Sequence, residues 1–260
     1  MLATVNGLRV SFTDVGKGPA LLLVHGFPLS RGTWSKQVHA FRSDHRVIAP
    51  DLRGLGESEA TDGSVPMARY AEDLFELVQH LGLDRVILVG HSMGGYVAMA
   101  FAKAYPQVLR GLVLVGTKAG ADAPEAAAAR QVLAARVLAE GVSVVVDAMA
   151  PKMLSADNTD ADMATAVQGF MSKATPTGVI GALLGMAERP DMGASAGLIR
   201  VRTLVVAGTK DAIMPIGESE ALARFIPDAM LRLVPGAGHL VAFEAPDAFN
   251  AVLKAWLAGA

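Results

Sequence analysis

Five short, continuously apolar runs constrain this chain more than any other feature. They are ALLLVHG (20–26), RVIAPD (46–51), RVILVGHS (85–92), LRGLVLVG (109–116) and RTLVVAG (202–208). A strand with one wet face alternates apolar and polar side chains, so an unbroken aliphatic run reads as a strand covered on both faces. Helix-like segments separate most of the runs. In one of them, Met67 to Leu81, the residues Tyr70, Leu74, Leu77, Val78 and Leu81 share a face. Another runs from Met93 to Tyr105 and is stopped by Pro106. Strands alternating with helices give a parallel sheet with helices on both sides. At the start, TVNGLRVSFTD places two alternating runs around Asn6-Gly7, which predicts an antiparallel hairpin. The fold class is therefore α/β, with a mostly parallel eight-stranded sheet.

Residues 119–195 break the rhythm. They are rich in Ala and Met, and VSVVVDAM is the only candidate strand among them. The segment is too long for an ordinary connection between strands. It predicts a helical cap, leaving 1–118 and 196–260 as the core.

Composition closes off several classes of function. The chain has 260 residues, of which 52% are hydrophobic and 18% charged. No apolar run approaches the roughly 18 to 20 residues that cross a bilayer. The N-terminus lacks the charged and apolar regions of a signal peptide, so a soluble cytoplasmic protein is expected. A net charge of −2 supplies no basic field for nucleic acid. There are no cysteines, which removes disulfides, thiolate metal sites and a thiol nucleophile.

The polar residues at strand ends carry the chemistry. In GHSMG, Gly90 and Gly94 flank Ser92 where an apolar run turns into a helix. A serine on such a turn adopts a strained backbone, and side chains at the flanking positions would collide with strand or helix. A serine nucleophile needs a base, and the base needs an orienting acid. Of the six histidines, His39, His45 and His80 lie in polar surroundings, and His91 projects to the opposite face from Ser92 as a core residue. His25 closes a strand and opens HGFP. His239, in PGAGHLVAFE, sits on a glycine-loosened loop after a strand, at the edge where active residues of open α/β sheets collect. Asp211, in LVVAGTKDAIMP, is the first candidate for the acid, and Asp122 is the alternative. Asp51, followed by Arg53, reads as a loop anchor. The backbone N–H groups of Phe27 and Met93 are placed to stabilise an oxyanion. Gly26, Leu29, Met153, Met214 and Leu240 are the candidate substrate contacts. Methionines of the 119–195 segment, among them Met149, Met153, Met163, Met171 and Met186, would give an apolar ceiling.

HGFP, DLRGLGES, GHSMGG, GTKDAIMP and GAGHL occur in this order at strand ends. In that order they resemble the α/β-hydrolase family, over essentially the whole chain. The resemblance implies Ser92 as nucleophile, Asp211 as acid, His239 as base, and Phe27 with Met93 as oxyanion donors. It also makes His25 and the segment of Asp51, Arg53, Gly54, Gly56 and Ser58 structural loops. GMAERPD, LVLVGTKAGADAPEAAAAR and IPDAMLRLVPGAGHLVAFEAPDAFN resemble small bacterial carboxylesterases, with enol-lactonases and acyl-carrier methyl esterases as near relatives.

The implied function is serine carboxylester hydrolysis of small to medium acyl esters, with no cofactor or metal and a small-molecule substrate as the partner. A slow-turnover ligand receptor on the same fold and a cofactor-free perhydrolase or lactonase remain as alternatives. Halide displacement is disfavoured, because the dehalogenase branch has aspartate where this chain has Ser92. No H-E-x-x-H, Walker loop or G-x-G-x-x-G is present, and SADNTDAD lacks the glycine and closing glutamate of a calcium loop.

Overall fold

A computed structural model describes residues 1–259 of the chain. The elements in chain order begin with strands β1 (Leu2–Val5), β2 (Leu8–Val15) and β3 (Ala20–Val24), then helix α1 (Ser35–Phe41) and strand β4 (Arg46–Pro50). Next come α2 (Met67–His80), β5 (Val86–His91), α3 (Met93–Ala104) and β6 (Leu109–Val115). Five helices follow without a strand among the described residues: α4 (Pro124–Glu140), α5 (Ser143–Met153), α6 (Ala161–Met171), α7 (Pro176–Ala187) and the single turn α8 (Gly193–Ala196). The chain finishes with β7 (Thr203–Gly208), α9 (Ile216–Phe225), β8 (Met230–Val234), α10 (Val241–Glu244) and α11 (Pro246–Leu257).

Among the described residues the strands form one eight-stranded sheet in the order β1-β2-β4-β3-β5-β6-β7-β8. β1 with β2 and β2 with β4 are antiparallel, and every other neighbouring pair is parallel. The hairpin turns at Asn6 and Gly7, both at positive φ (49° and 73°), as an Asn-Gly turn requires.

Period-two alternation explains the unbroken apolar runs. Leu22, Val24, Leu88 and Leu112 pack on one side with Leu74, Leu77, Val97 and Phe101 of α2 and α3. Leu21, Leu23, Val89 and Val113 pack on the other with Phe41 of α1 and with Phe249, Leu253 and Trp256 of α11. Both faces are dry along the middle of β3, β5 and β6, where residues 21–24, 86–89 and 112–115 are buried.

After β3 the chain passes to β4 on one side and returns to β5 on the other. The carboxyl ends of β3 and β5 therefore border a crevice at the point where the strand order reverses, which is where open α/β sheets bind ligands.

Four of the five helices between β6 and β7, all but α6, share core with the sheet's helical layer. Ala134, Val137, Val179, Leu183 and Met186 belong to the same buried cluster as α2 and α3. Close approach rests on small residues. A Cβ on Gly178 would lie 1.8 Å from the Gly54 carbonyl oxygen, and one on Gly185 would lie 1.8 Å from that of Val65. The VSVVVDAM segment is helical, lying in α5, not a strand. Its apolar residues pack toward the neighbouring helices, so tertiary contact overrides β-branched propensity.

Candidate active site

Ser92 stands between β5 and α3 with φ 53° and ψ −116°, a conformation rare outside glycine. Such a backbone costs about 1–3 kcal/mol and persists where its surroundings over-determine it. Those surroundings are visible. The Ser92 N–H donates to the Val115 carbonyl at 2.8 Å, and the Ser92 carbonyl accepts from Thr117 Oγ1 at 2.9 Å and from the Gly95 N–H at 2.8 Å. The flanking glycines are steric necessities. A Cβ on Gly90 would lie 2.3 Å from the Gly94 carbonyl oxygen, and one on Gly94 would lie 2.5 Å from that of Val24. Gly26 lies against the serine itself, with a Cβ there 3.0 Å from Ser92 Cβ.

The acid and base candidates meet directly. His239 Nδ1 donates to Asp211 Oδ2 at 2.8 Å, with both side chains at most 1% exposed. The other oxygen, Asp211 Oδ1, accepts the N–H groups of Ile213 at 2.8 Å and Met214 at 2.7 Å. Burial pushes the Asp211 carboxyl upward in pKa, but the bond and charge of His239 and the two N–H donors outweigh it and hold the group below the usual aspartate range. The carboxylate thereby fixes the proton on Nδ1 and leaves Nε2 as the basic nitrogen.

Gly116 ties this pair to the serine. It follows Val115, the acceptor for Ser92 N–H, and a Cβ on it would lie 3.4 Å from both Asp211 Oδ2 and His239 Nδ1.

Both buried histidines near the site are held neutral and serve the backbone. His25 Nε2 accepts the Leu52 N–H at 3.0 Å and its Nδ1 donates to the Gly26 carbonyl at 2.8 Å, while burial lowers its pKa. His91 is pushed down to about 3, chiefly by burial and then by the neighbouring His239. Its Nε2 donates to the His239 carbonyl at 2.9 Å, so this core histidine holds the His239 loop. His39 and His80 are exposed, whereas His45 is half-buried, with burial lowering its pKa.

Two further contacts fix the His239 loop. The Leu240 N–H donates to the Met153 carbonyl at 2.9 Å. Glu244 accepts the Gly238 N–H at 2.6 Å, the Ser155 N–H at 3.0 Å and Asn158 Nδ2 at 2.8 Å. The loop is thus pinned to the chain that leaves α5. Nothing local in the sequence marks Glu244 for this, because two of its three partners, Ser155 and Asn158, come from a distant segment.

Asp51 anchors the loop after β4. It binds Arg31 through the side chain and the Arg31 N–H, and it accepts the Glu57 N–H at 2.9 Å. Arg53 instead pairs with Asp73 through Nε and Nη2, at 2.7 and 2.6 Å. Asp122, the alternative acid, lies among cations: Arg130 Nε at 2.5 Å, Lys118 Nζ at 3.4 Å and Arg189 at 3.8 Å. The bond to His239 belongs to Asp211.

A pocket of about 250 Å³ opens over Ser92. Phe27 in the loop after β3, Tyr96 of α3, and Ile213 and Met214 after β7 line it, and Met149 and Met186 reach it from the inserted helices. Met93 is the first residue of α3, so its N–H has no acceptor four residues back. Of the candidate substrate contacts, Met214 lines this pocket and Gly26 lies under it. Leu29, Met153 and Leu240 sit in a buried cluster with Leu154, Met171 and Phe243. Lys118, Arg130 and Glu218 also line the pocket, although none of them was a candidate site residue. A larger depression, about 550 Å³, lies by Arg9, Arg31, Glu57 and Glu59 and has no histidine in its wall. No helix among the described residues is long and apolar enough to cross a membrane.

A parallel sheet with antiparallel strands at its first edge, a strained serine after β5 and a His–Asp pair beyond β7 and β8 define a chain of the α/β-hydrolase fold. The chain belongs to this family: the alpha/beta hydrolase fold profile matches residues 19–246. Its overall structure is similar to that of a thermophilic esterase from Thermogutta terrifontis, solved with malate bound. The two are 39% identical, with 100% of this chain and 98% of that one covered and a TM-score of 0.96. It is similar also to the enol-lactonase of Burkholderia xenovorans, at 25% identity, 99% and 100% coverage and a TM-score of 0.93. In sequence, 2-hydroxymuconate semialdehyde hydrolase of Pseudomonas putida is 29% identical over 98% of this chain and 92% of the relative.

Proposed function

We propose that the chain is a serine carboxylester hydrolase in which Ser92 attacks, His239 moves the proton and Asp211 orients the base. The observation that carries this reading is the 2.8 Å bond between His239 Nδ1 and Asp211 Oδ2, buried at the sheet edge that also bears the strained Ser92. The esterase and enol-lactonase similarities support the same reaction class.

His239 Nε2 takes the Ser92 hydroxyl proton as Oγ forms a bond to the ester carbonyl carbon. The carbonyl oxygen becomes an oxyanion, held by the N–H groups of Phe27 and Met93, and each such donor contributes about 3–4 kcal/mol of transition-state stabilisation. The intermediate then breaks its bond to the alkoxy group, which leaves as the alcohol with the proton from His239. Water repeats the sequence on the acyl-enzyme and releases the acid. Asp211 keeps its own proton off throughout, which suits a carboxyl held below its ordinary range.

The segment 119–195 serves in this reading as a cap on the core of residues 1–118 and 196–260. Its Met149 and Met186 supply part of the pocket wall. A roof of flexible thioether side chains suits small and medium acyl groups.

Hydrolysis of activated esters by wild type and Ser92→Ala tests the assignment. Removing a triad nucleophile lowers kcat by about 10⁶, so a variant that retains most of its activity refutes it.

A further inference from the structure

The pocket over Ser92 carries charge that ester cleavage alone does not use. Lys118, Asp122, Arg130 and Glu218 are part of its wall. Asp122 is the focus, its carboxylate 3% exposed and facing Arg130, Lys118 and, from behind, Arg189. Three cations therefore converge on one anion. Glu218 sits elsewhere on the wall and forms no ion pair among the described residues. The wall itself carries two cations and two carboxylates, and the buried Arg189 beside Asp122 adds a third cation that shares that carboxylate with Arg130 and Lys118.

The cations differ in how far they are committed. Arg189 is 1% exposed, donates to the carbonyls of Ala119 and Gly120, and stacks 3.9 Å over the Tyr96 ring. It is fixed in the structure. Arg130 gives only Nε to Asp122, and its two terminal amino groups have no protein acceptor among the described residues. Arg130 is 26% exposed and Lys118 20% exposed, open enough to meet a ligand and sheltered enough to be weakly screened. Lys118 also lies close to the chemistry in sequence, three residues after the Val115 carbonyl that accepts the Ser92 N–H.

We propose that Arg130 and Lys118 bind a carboxylate carried by the substrate, so that the preferred esters or lactones are anionic. This rests on Ser92 as the nucleophile. A guanidinium with both terminal amino groups free matches a carboxylate in two-pronged geometry. Asp122 offsets part of the charge of these cations and orients Arg130. The apolar side chains of Met149, Met186, Ile213 and Met214 cover the chain between carboxylate and reacting carbonyl.

The test compares kcat/KM for monomethyl succinate, glutarate and adipate with that for their uncharged dimethyl esters and for a cationic amino ester of equal length. An acetyl ester of a hydroxy acid places the charge on the leaving group instead. One charge-assisted contact favours the anionic substrate by about 10-fold or more at low salt, and added sodium chloride shrinks the preference. Arg130→Gln and Lys118→Met bring the anionic-to-neutral ratio toward one. Free glutarate inhibits dimethyl ester hydrolysis competitively, and the inhibition weakens with salt; this arm needs only the wild-type protein. A wild type that prefers the neutral or cationic ester, or a ratio unmoved by both substitutions, overturns the proposal. Ser92-dependent hydrolysis without anionic preference removes only the carboxylate site, whereas activity independent of Ser92 removes the underlying reading.

Discussion

Replacing Glu244 by alanine tests whether the base is held by the inserted helices as well as by the sheet. Its carboxylate accepts from Gly238 N–H at 2.6 Å, Ser155 N–H at 3.0 Å and Asn158 Nδ2 at 2.8 Å, and Gly238 immediately precedes His239. Alanine leaves two backbone donors without their acceptor in a half-buried joint. Each bond to a charged acceptor is worth about 1.5–3 kcal/mol, and partial access of water reduces the sum to about 3 kcal/mol. For a chain of this size that lowers Tm by about 6–12 °C.

The same loss loosens the Gly238–His239 backbone, so kcat falls with little change in KM, because substrate contacts lie elsewhere. Glu244→Gln keeps an acceptor oxygen and recovers part of both effects. The assay is thermal unfolding beside steady-state hydrolysis of a neutral activated ester. An alanine variant melting within about 1 °C of wild type with unchanged kcat would show that the joint does not hold the base.

Asp211→Asn lowers kcat by about 10⁴, as expected when the base loses its tautomer partner, whereas Asp122→Asn leaves kcat on a neutral ester within about 10-fold of wild type; steady-state kinetics of both variants assigns the acid. Burial also makes stability depend on pH. The pKa of folded His91 is depressed to about 3, so between there and its ordinary value the unfolded chain binds more protons. Stability is present above the ordinary histidine range and is lost as pH falls toward about 3. At pH 4 the loss from this one group is about 3 kcal/mol. Urea unfolding of His91→Gln, which keeps an amide donor for the His239 carbonyl, therefore shows a flatter dependence from pH 7 to 4 than wild type. Parallel curves would contradict the burial argument.

The sheet was legible because a strand buried on both faces is mostly confined to apolar residues: 20–24, 86–89, 112–115 and 204–207 are unbroken apolar runs in β3, β5, β6 and β7. The turn at Ser92 was legible for a steric reason, since Gly90 and Gly94 face backbone oxygens at distances no Cβ tolerates. Residues 143–153 were not, because β-branched valines fit a helix as soon as neighbouring helices cover them.

The ion pairs were the least readable. Arg53 is two residues from Asp51 yet binds Asp73, and Asp51 binds Arg31. Partner choice depends on where loops land, which sequence separation does not report. For the same reason His91 reads as a core histidine, while its bond to the His239 carbonyl needs the loop after β8 carried back past β7 and β6 to the end of β5.

The direct measurement is covalent labelling with an alkyl fluorophosphonate, read by intact-protein and peptide mass spectrometry. The account predicts one adduct, on Ser92, forming in step with loss of ester hydrolysis and slowed by removal of His239 or Asp211. An adduct at another residue, or full activity in protein labelled at Ser92, would contradict it.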